Sequence, residues 1–155
     1  MTPEQVRLVR ASWSEVTPIA DTAARRFYGR LFEIEPDLRR LFERSDMAKQ
    51  RAKLMQTLSV AVAALDRMDS LGPALAAMGR RHEGYGVEDR HYAVVGTALL
   101  WTLEQGLGDG FTRSVRDAWA AAYDMLAAAM RGAAGGEEAP REACTPRIEM
   151  VVRWE

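Results

Sequence analysis

The helix punctuation of this chain is irregular, and that irregularity limits the folds open to it. Residues that start helices stand at Thr2-Pro3, Pro18, Pro36, Ser70 and Thr112, and glycine breaks fall at Gly84, Gly86 and Gly108-Asp109-Gly110. Between these marks apolar residues recur three and four apart. Nowhere up to residue 131 do they alternate with the period of two that a half-buried strand needs. Seven or so short, unequal helices without a heptad repeat are therefore predicted. The chain is all-α, and a symmetric four-helix bundle fits it poorly.

Each predicted helix has an inner face. Thr2 caps the first, Pro3 suits its first position, and Gln5 occupies the capping-box place. Val6, Val9, Trp13 and Val16 form its apolar stripe. Pro18 opens a second helix with Ala20, Ala24, Phe27, Tyr28, Leu31 and Phe32 inward, and a short turn after Pro36 carries Leu38, Leu41 and Phe42. Beyond the polar link from Glu43 to Asp46, a long helix reaches about Leu65 through Leu54, Leu58 and Val62. Ser70 is expected to cap the helix holding Leu75, Met78 and His82. Another helix runs from about Glu88 to Gly106. Thr112 caps the last, with Trp119, Tyr123, Leu126 and Met130, which fades near Gly132.

A domain of residues 1–131 is expected, followed by a flexible tail of residues 132–155. The segment from Gly132 to Pro146 is small, polar and glycine-rich, as linkers are. A short strand pattern from Arg147 to Glu155 has no partner strand.

Composition narrows the function. The 155 residues suffice for one domain with a sizeable core, and 48% hydrophobic with 28% charged residues fits a globular chain. A net charge of −1 gives no general basic field, so a nucleic-acid partner is not expected. No apolar run reaches the roughly 20 residues of a membrane span, and no signal segment is read at the N-terminus. The single cysteine, Cys144, makes no internal disulfide, and there is no Cys-x-x-Cys-His attachment site. These features lead to the expectation of a cytoplasmic monomer or weak homodimer.

Both histidines, His82 and His91, lie around the glycine break Gly84-Tyr85-Gly86. An imidazole at a helix end beside a sharp break can be aimed into an enclosed interior. That is where a single axial metal ligand is wanted.

The ordered set of residues resembles the globins. It is closest to the single-domain bacterial haemoglobins and the haem domain of flavohaemoglobins, and is similar also to the neuroglobin-like group. The resemblance rests on Phe27-Tyr28 with Leu31-Phe32, then Pro36 with Leu41-Phe42, then Gln50 with Lys53-Leu54-Met55. It continues with Gly79-Arg80-Arg81-His82 and Tyr85-Gly86-Val87, then His91-Tyr92 with Val95-Gly96 and Leu99-Leu100, and ends at Ala118-Trp119 with Tyr123. It covers roughly residues 3 to 131, in the family's order and spacing.

The resemblance implies a three-over-three helical sandwich enclosing one non-covalent haem b, with iron held by His82. Neutral imidazole is a good iron ligand, and one axial bond leaves the opposite face open to a diatomic gas. Phe42 then stacks on the porphyrin, while Leu54, Met78, Val87, Val95 and Leu99 form pocket wall. Tyr92 matches the tyrosine that supports the proximal histidine in flavohaemoglobins. Lys53 and Arg81 are either partners of the haem propionates or plain solvated charges. His91 matches no ligand position and reads as a surface or interhelical contact.

The distal side of the pocket, by the same resemblance, has no histidine and carries Tyr28 and Gln50. A phenol O–H and an amide N–H can both donate to a dioxygen ligand bearing partial negative charge. Each such bond in an apolar pocket is worth about 1–3 kcal/mol, so two together slow oxygen release by a factor of about 10². Carbon monoxide, less polar, gains less. Two other readings stand open at this point: Tyr28 as a core tyrosine bonded to a backbone carbonyl, and Gln50 swung outward on a polar segment.

Two departures from the flavohaemoglobin pattern matter. Those proteins continue into a flavin- and nicotinamide-binding reductase, and this chain is expected to rely on a separate one. The glutamate that accompanies the supporting tyrosine falls near Ala134 here, with Glu137 and Glu138 only later. Losing a carboxylate behind the imidazole weakens electron donation to iron. Reversible high-affinity dioxygen binding for scavenging, storage or transport is the first reading. Nitric oxide dioxygenation with an external reductase is the alternative, and gas or redox sensing is a third. No residue is assigned a catalytic role with certainty.

Overall fold

A computed structural model describes residues 1–84 and 89–134. Among these, six α-helices and four short 3₁₀ turns account for the regular structure: α1 (Pro3–Val16), α2 (Ala20–Ile34), α3 (Met47–Ala63), α4 (Met68–Gly84), α5 (Asp89–Leu107) and α6 (Arg113–Ala134). The turn Thr17–Ile19 joins α1 to α2, Pro36–Phe42 follows α2, Leu65–Arg67 precedes α4, and Gly108–Gly110 precedes α6. Helix α6 packs on α1, α4 and α5, and α2 packs on α3 and α5. The fold is the all-α three-over-three sandwich expected above. The tail from 135 onward and the strand pattern from Arg147 lie outside the described residues.

Local chemistry explains most boundaries. Thr2 Oγ1 accepts from the Gln5 backbone N–H at 3.1 Å, and Gln5 Oε1 accepts from Thr2 N–H at 3.0 Å. This reciprocal box satisfies two donors that a helix start leaves open. Asp46 caps α3 by accepting from Ala48 and Lys49 N–H, and Thr112 Oγ1 accepts from Val115 N–H at the start of α6. Gly108 supplies the left-handed turn between α5 and α6 with φ of 54°.

One start differs from expectation. Helix α4 begins at Met68, so Ser70 is its third residue and not its cap. The chain enters it directly from the 3₁₀ turn Leu65–Arg67, already wound, with Arg67 N–H bonded to the Ala64 carbonyl. Pro73 lies inside the helix as its sixth residue, where it forgoes one intrahelical donor.

The main core joins α1, α2, α3, α5 and α6 around Val9, Val16, Leu31 and Leu103. Trp13 and Trp119 lie within it, ring centroids 5.7 Å apart. A second cluster of Ala74, Leu75 and Met78 packs α4 on α6 with Val60, Leu126 and Met130. That packing is very close: a Cβ on Gly79 would stand 1.9 Å from the Met130 carbonyl oxygen. Arg10 closes the end of α3 by donating to the Val62 and Ala63 carbonyls, at 3.2 and 2.8 Å, and to Asp66 at 2.9 Å.

Candidate functional site

The site is built on α2, the turn Pro36–Phe42, α3 and α5. Apolar spacing on α2 turns Phe27, Tyr28 and Leu31 inward together, and all three are buried. Pro36 then redirects the chain, so that Leu38 and Phe42 return to the same core. The Phe42 ring meets Tyr28 edge-on at 5.4 Å and Phe32 at 5.5 Å, while Phe27 meets Tyr28 at 5.1 Å. Four rings of this kind make a rigid apolar wall.

Within that wall sits one polar pair. Gln50, on the first turns of α3, donates from Nε2 to the Tyr28 hydroxyl at 3.2 Å. Both residues are only 3% exposed. Gln50 therefore faces inward, and Tyr28 is not a core tyrosine tied to a backbone carbonyl. The Tyr28 hydroxyl proton has no acceptor among the described residues, and the second Gln50 N–H is likewise unspent. Burial pushes the Tyr28 phenol well above the ordinary tyrosine range. The Gln50 hydrogen bond and the charge of Arg51, which is paired with Asp21, oppose this only in part. The phenol is thus a neutral donor at any ordinary pH.

Other expected residues fall around this pair to different degrees. Leu99 is buried in the main core, and Leu54 and Val95 pack against it half-buried. Lys53, Arg81 and Tyr92 are half-buried and carry interactions of their own. Met78 is placed apart, in the second cluster against α6. His82 lies in the last turn of α4, but its side chain is outside the described residues, and so is Val87. His91 is 5% exposed, which removes the surface alternative for it and leaves the interhelical one.

The arrangement suits a flat apolar group. Helices α3 and α5 make little direct contact with each other, and α3 makes little with α4, although all belong to one fold. Leu54 and Leu58 on α3 and Val94, Val95 and Leu100 on α5 stay half-buried where full packing would bury them. Apolar side chains left partly uncovered between helices are the lining that a large planar ligand needs. The buried Tyr28–Gln50 pair is the polar feature among these apolar side chains.

Sequence reasoning missed two contacts here. The Tyr123 hydroxyl donates to the Tyr92 carbonyl at 2.5 Å, and its ring fills the notch at Gly96, where a Cβ would stand 2.8 Å from it. Arg51 reaches Asp21 across α2 and α3. Both join positions about thirty residues apart, beyond any local pattern. Glycine at 96 was the sole available signal.

The sequence model of the Globin family matches residues 25–130. The chain is 32% identical to Neuroglobin-1 of Oncorhynchus mykiss over 143 residues, covering 84% of this chain and 90% of that protein. It is 35% identical to the Flavohemoprotein of Bordetella bronchiseptica over 131 residues, covering 82% of this chain but 32% of that protein. The Flavohemoprotein of Bacillus subtilis is 29% identical over 129 residues with the same 32% coverage. The chain spans about a third of the length of these flavohemoproteins.

Proposed function

Because this chain belongs to the globin family, we propose that it binds haem between α3 and the α4–α5 side and holds dioxygen there with high affinity. The observation that carries this reading is the buried Tyr28–Gln50 pair with its unspent donors. Haem supplies an iron atom at which a diatomic gas binds. His82 is assigned as its protein ligand, from the last turn of α4. Phe42, Leu54, Val95 and Leu99 cover its faces, with Met78 and Val87 completing the wall. Tyr92 supports the side of His82. Lys53 and Arg81 are assigned to its charged edge.

Tyr28 and Gln50 then act as a clamp. The phenol stays protonated because burial disfavours its anion. It donates to a polarised ligand, and Gln50 both orients it and offers its own second N–H. Phe27, Phe32 and Phe42 exclude water that would compete for these donors. Two such bonds retain dioxygen about 10²-fold longer than an apolar pocket would. Carbon monoxide and nitric oxide enter the same space with weaker stabilisation.

The second reading is dioxygenation of nitric oxide, favoured by the match to flavohemoproteins along this segment of their length. Nitric oxide, dioxygen and one electron give nitrate. Bound haem would supply that electron, and a separate reductase would restore it.

Oxygen dissociation from the ferrous protein, followed by stopped flow beside the spectrum of the ligand-free ferrous form, tests the proposal. Slow release with a five-coordinate spectrum is expected. Fast release, or a six-coordinate spectrum, overturns the clamp.

A further inference from the structure

We infer that the ion pair between Arg51 and Asp21 is a latch that keeps Gln50 turned into the site, so that two residues outside the pocket set how long it holds a gas. The inference rests on the haem-binding reading above and concerns the positioning of its Tyr28–Gln50 clamp. Two side-chain hydrogen bonds join α2 to α3. Gln50 Nε2 donates to the Tyr28 hydroxyl at 3.2 Å, and Arg51 Nε donates to Asp21 Oδ1 at 3.1 Å. The two residues that reach across are neighbours on α3, and one bond serves the site while the other lies outside it.

Gln50 needs such a hold. Of the buried residues on α3, which are Gln50, Met55 and Val62, it comes first and is the polar one. It stands in the first turn, where the Asp46 side chain takes Ala48 and Lys49 N–H and the Asp46 carbonyl takes Gln50 N–H. That cap winds the turn without attaching it to a neighbouring helix, and helix ends fray. Met47 and Leu54 stay half-buried, so the first fully buried apolar side chain on α3 is Met55. The net gain from one neutral hydrogen bond is small, because water offers the amide the same.

The ion pair is placed to supply what is missing. The Arg51 side chain is 18% exposed and that of Asp21 64%, so the guanidinium is the more enclosed partner. Asp21 stands in the first turn of α2, an end that favours a carboxylate, and its other oxygen accepts from Arg25 of the same helix at 2.8 Å. Burial raises the Tyr28 phenol, and the Arg51 charge is among the influences that oppose the rise, so Arg51 lies near the site. Freed from Asp21, the first turn of α3 can lift and carry Gln50 toward water. Arg51 and Asp21 are therefore positioning residues, whose effect on a bound gas passes through the Gln50 amide.

The test measures oxygen dissociation by stopped flow and the carbon monoxide stretching band by infrared, both on the haem-loaded full chain. R51M keeps the side chain's bulk and removes its bond and charge, and D21A removes the partner while leaving Arg51. Q50L should speed release about tenfold, as loss of one donor requires, and R51M and D21A about threefold or more. In the infrared, R51M and D21A should each show a second band at the Q50L frequency, from the population with Gln50 turned out. The direction in D21A separates a latch from a field. If the Arg51 charge acted on the gas through space, removing its counter-ion would slow release instead. D21E, which still reaches Arg51, should return release to within about twofold of the parent, and so should the control R25M, because Arg25 and Asp21 share one helix. Added to Q50L, R51M should change release by less than about 1.5-fold, as a residue acting through Gln50 must.

Unchanged release in R51M and D21A, slower release in D21A, or an R51M effect that persists in full beside Q50L overturns the latch. Should R51M fail to take up haem, D21A and D21E decide the matter between them. Failure of the clamp itself looks different, because Q50L and Tyr28→Phe then release oxygen at the parent rate, and the latch falls with it. Failure of the latch alone leaves the Q50L effect intact.

Discussion

A single phenol carries most of the functional argument. Tyr28→Phe removes one donor and leaves the ring packing intact, so oxygen should dissociate at least about tenfold faster, as loss of roughly 1.4 kcal/mol requires. Stopped-flow displacement by carbon monoxide measures it, and an unchanged rate would mean the hydroxyl does not meet the ligand. The same residue predicts an alkaline effect. Its folded-state pKa is raised by burial, against about 10 in an unfolded chain. Its contribution to stability is whole below that value and is lost as pH climbs above it toward the folded-state value, at up to about 1.4 kcal/mol per pH unit. Urea unfolding of the apoprotein between pH 9 and 11 should show a shallower decline in Tyr28→Phe than in the parent chain. The inward spacing of Phe27-Tyr28 with Leu31-Phe32 was legible in the sequence, because helical period alone places it. That Tyr28 and Gln50 share one side of the site came solely from family resemblance, and the bond between them was not read from the sequence. Twenty-two residues separate the two, and no local rule fixes their distance.

Among the helices, the α4–α6 contact is the least forgiving. Alanine ordinarily stabilises a helix interior relative to glycine by about 1 kcal/mol. At Gly79 the added methyl would meet backbone of Met130, which cannot rotate aside. Gly79→Ala should instead cost about 2 kcal/mol and lower Tm by roughly 4–8 °C. Gly29→Ala on α2, where nothing lies within 4 Å, should match or slightly exceed the parent Tm. Differential scanning calorimetry of the two separates contact from propensity. Caps at Thr2 and Thr112 and turns at Pro36 and Gly108 were readable, since each is local chemistry. The true start of α4 was not. Its entry comes from the preceding 3₁₀ turn, and buried Leu65, a tertiary matter, holds that turn in place. The Arg10 clamp on α3 was equally hidden, being made across fifty residues.

For the molecule as a whole, the remaining structural expectation is the division after residue 131, and α6 itself runs on to Ala134. A chain ending at Ala134 keeps every described helix, and it should take up haem with the parent stoichiometry and show the same Soret band on titration. Loss of uptake would make the last 21 residues part of the fold. Six helices closed on one another by buried side chains should also unfold as a unit. The Trp13–Trp119 pair offers a way to see that unit directly. Trp13 Nε1 donates to Ser59 of α3, and Trp119 Nε1 donates to Ser12 of α1, so three helices meet at two indoles 5.7 Å apart. Chromophores that close couple their electronic transitions, and the resulting circular-dichroism couplet vanishes once α1 leaves α6. The protein therefore carries a built-in optical gauge of its own assembly, readable with or without the prosthetic group.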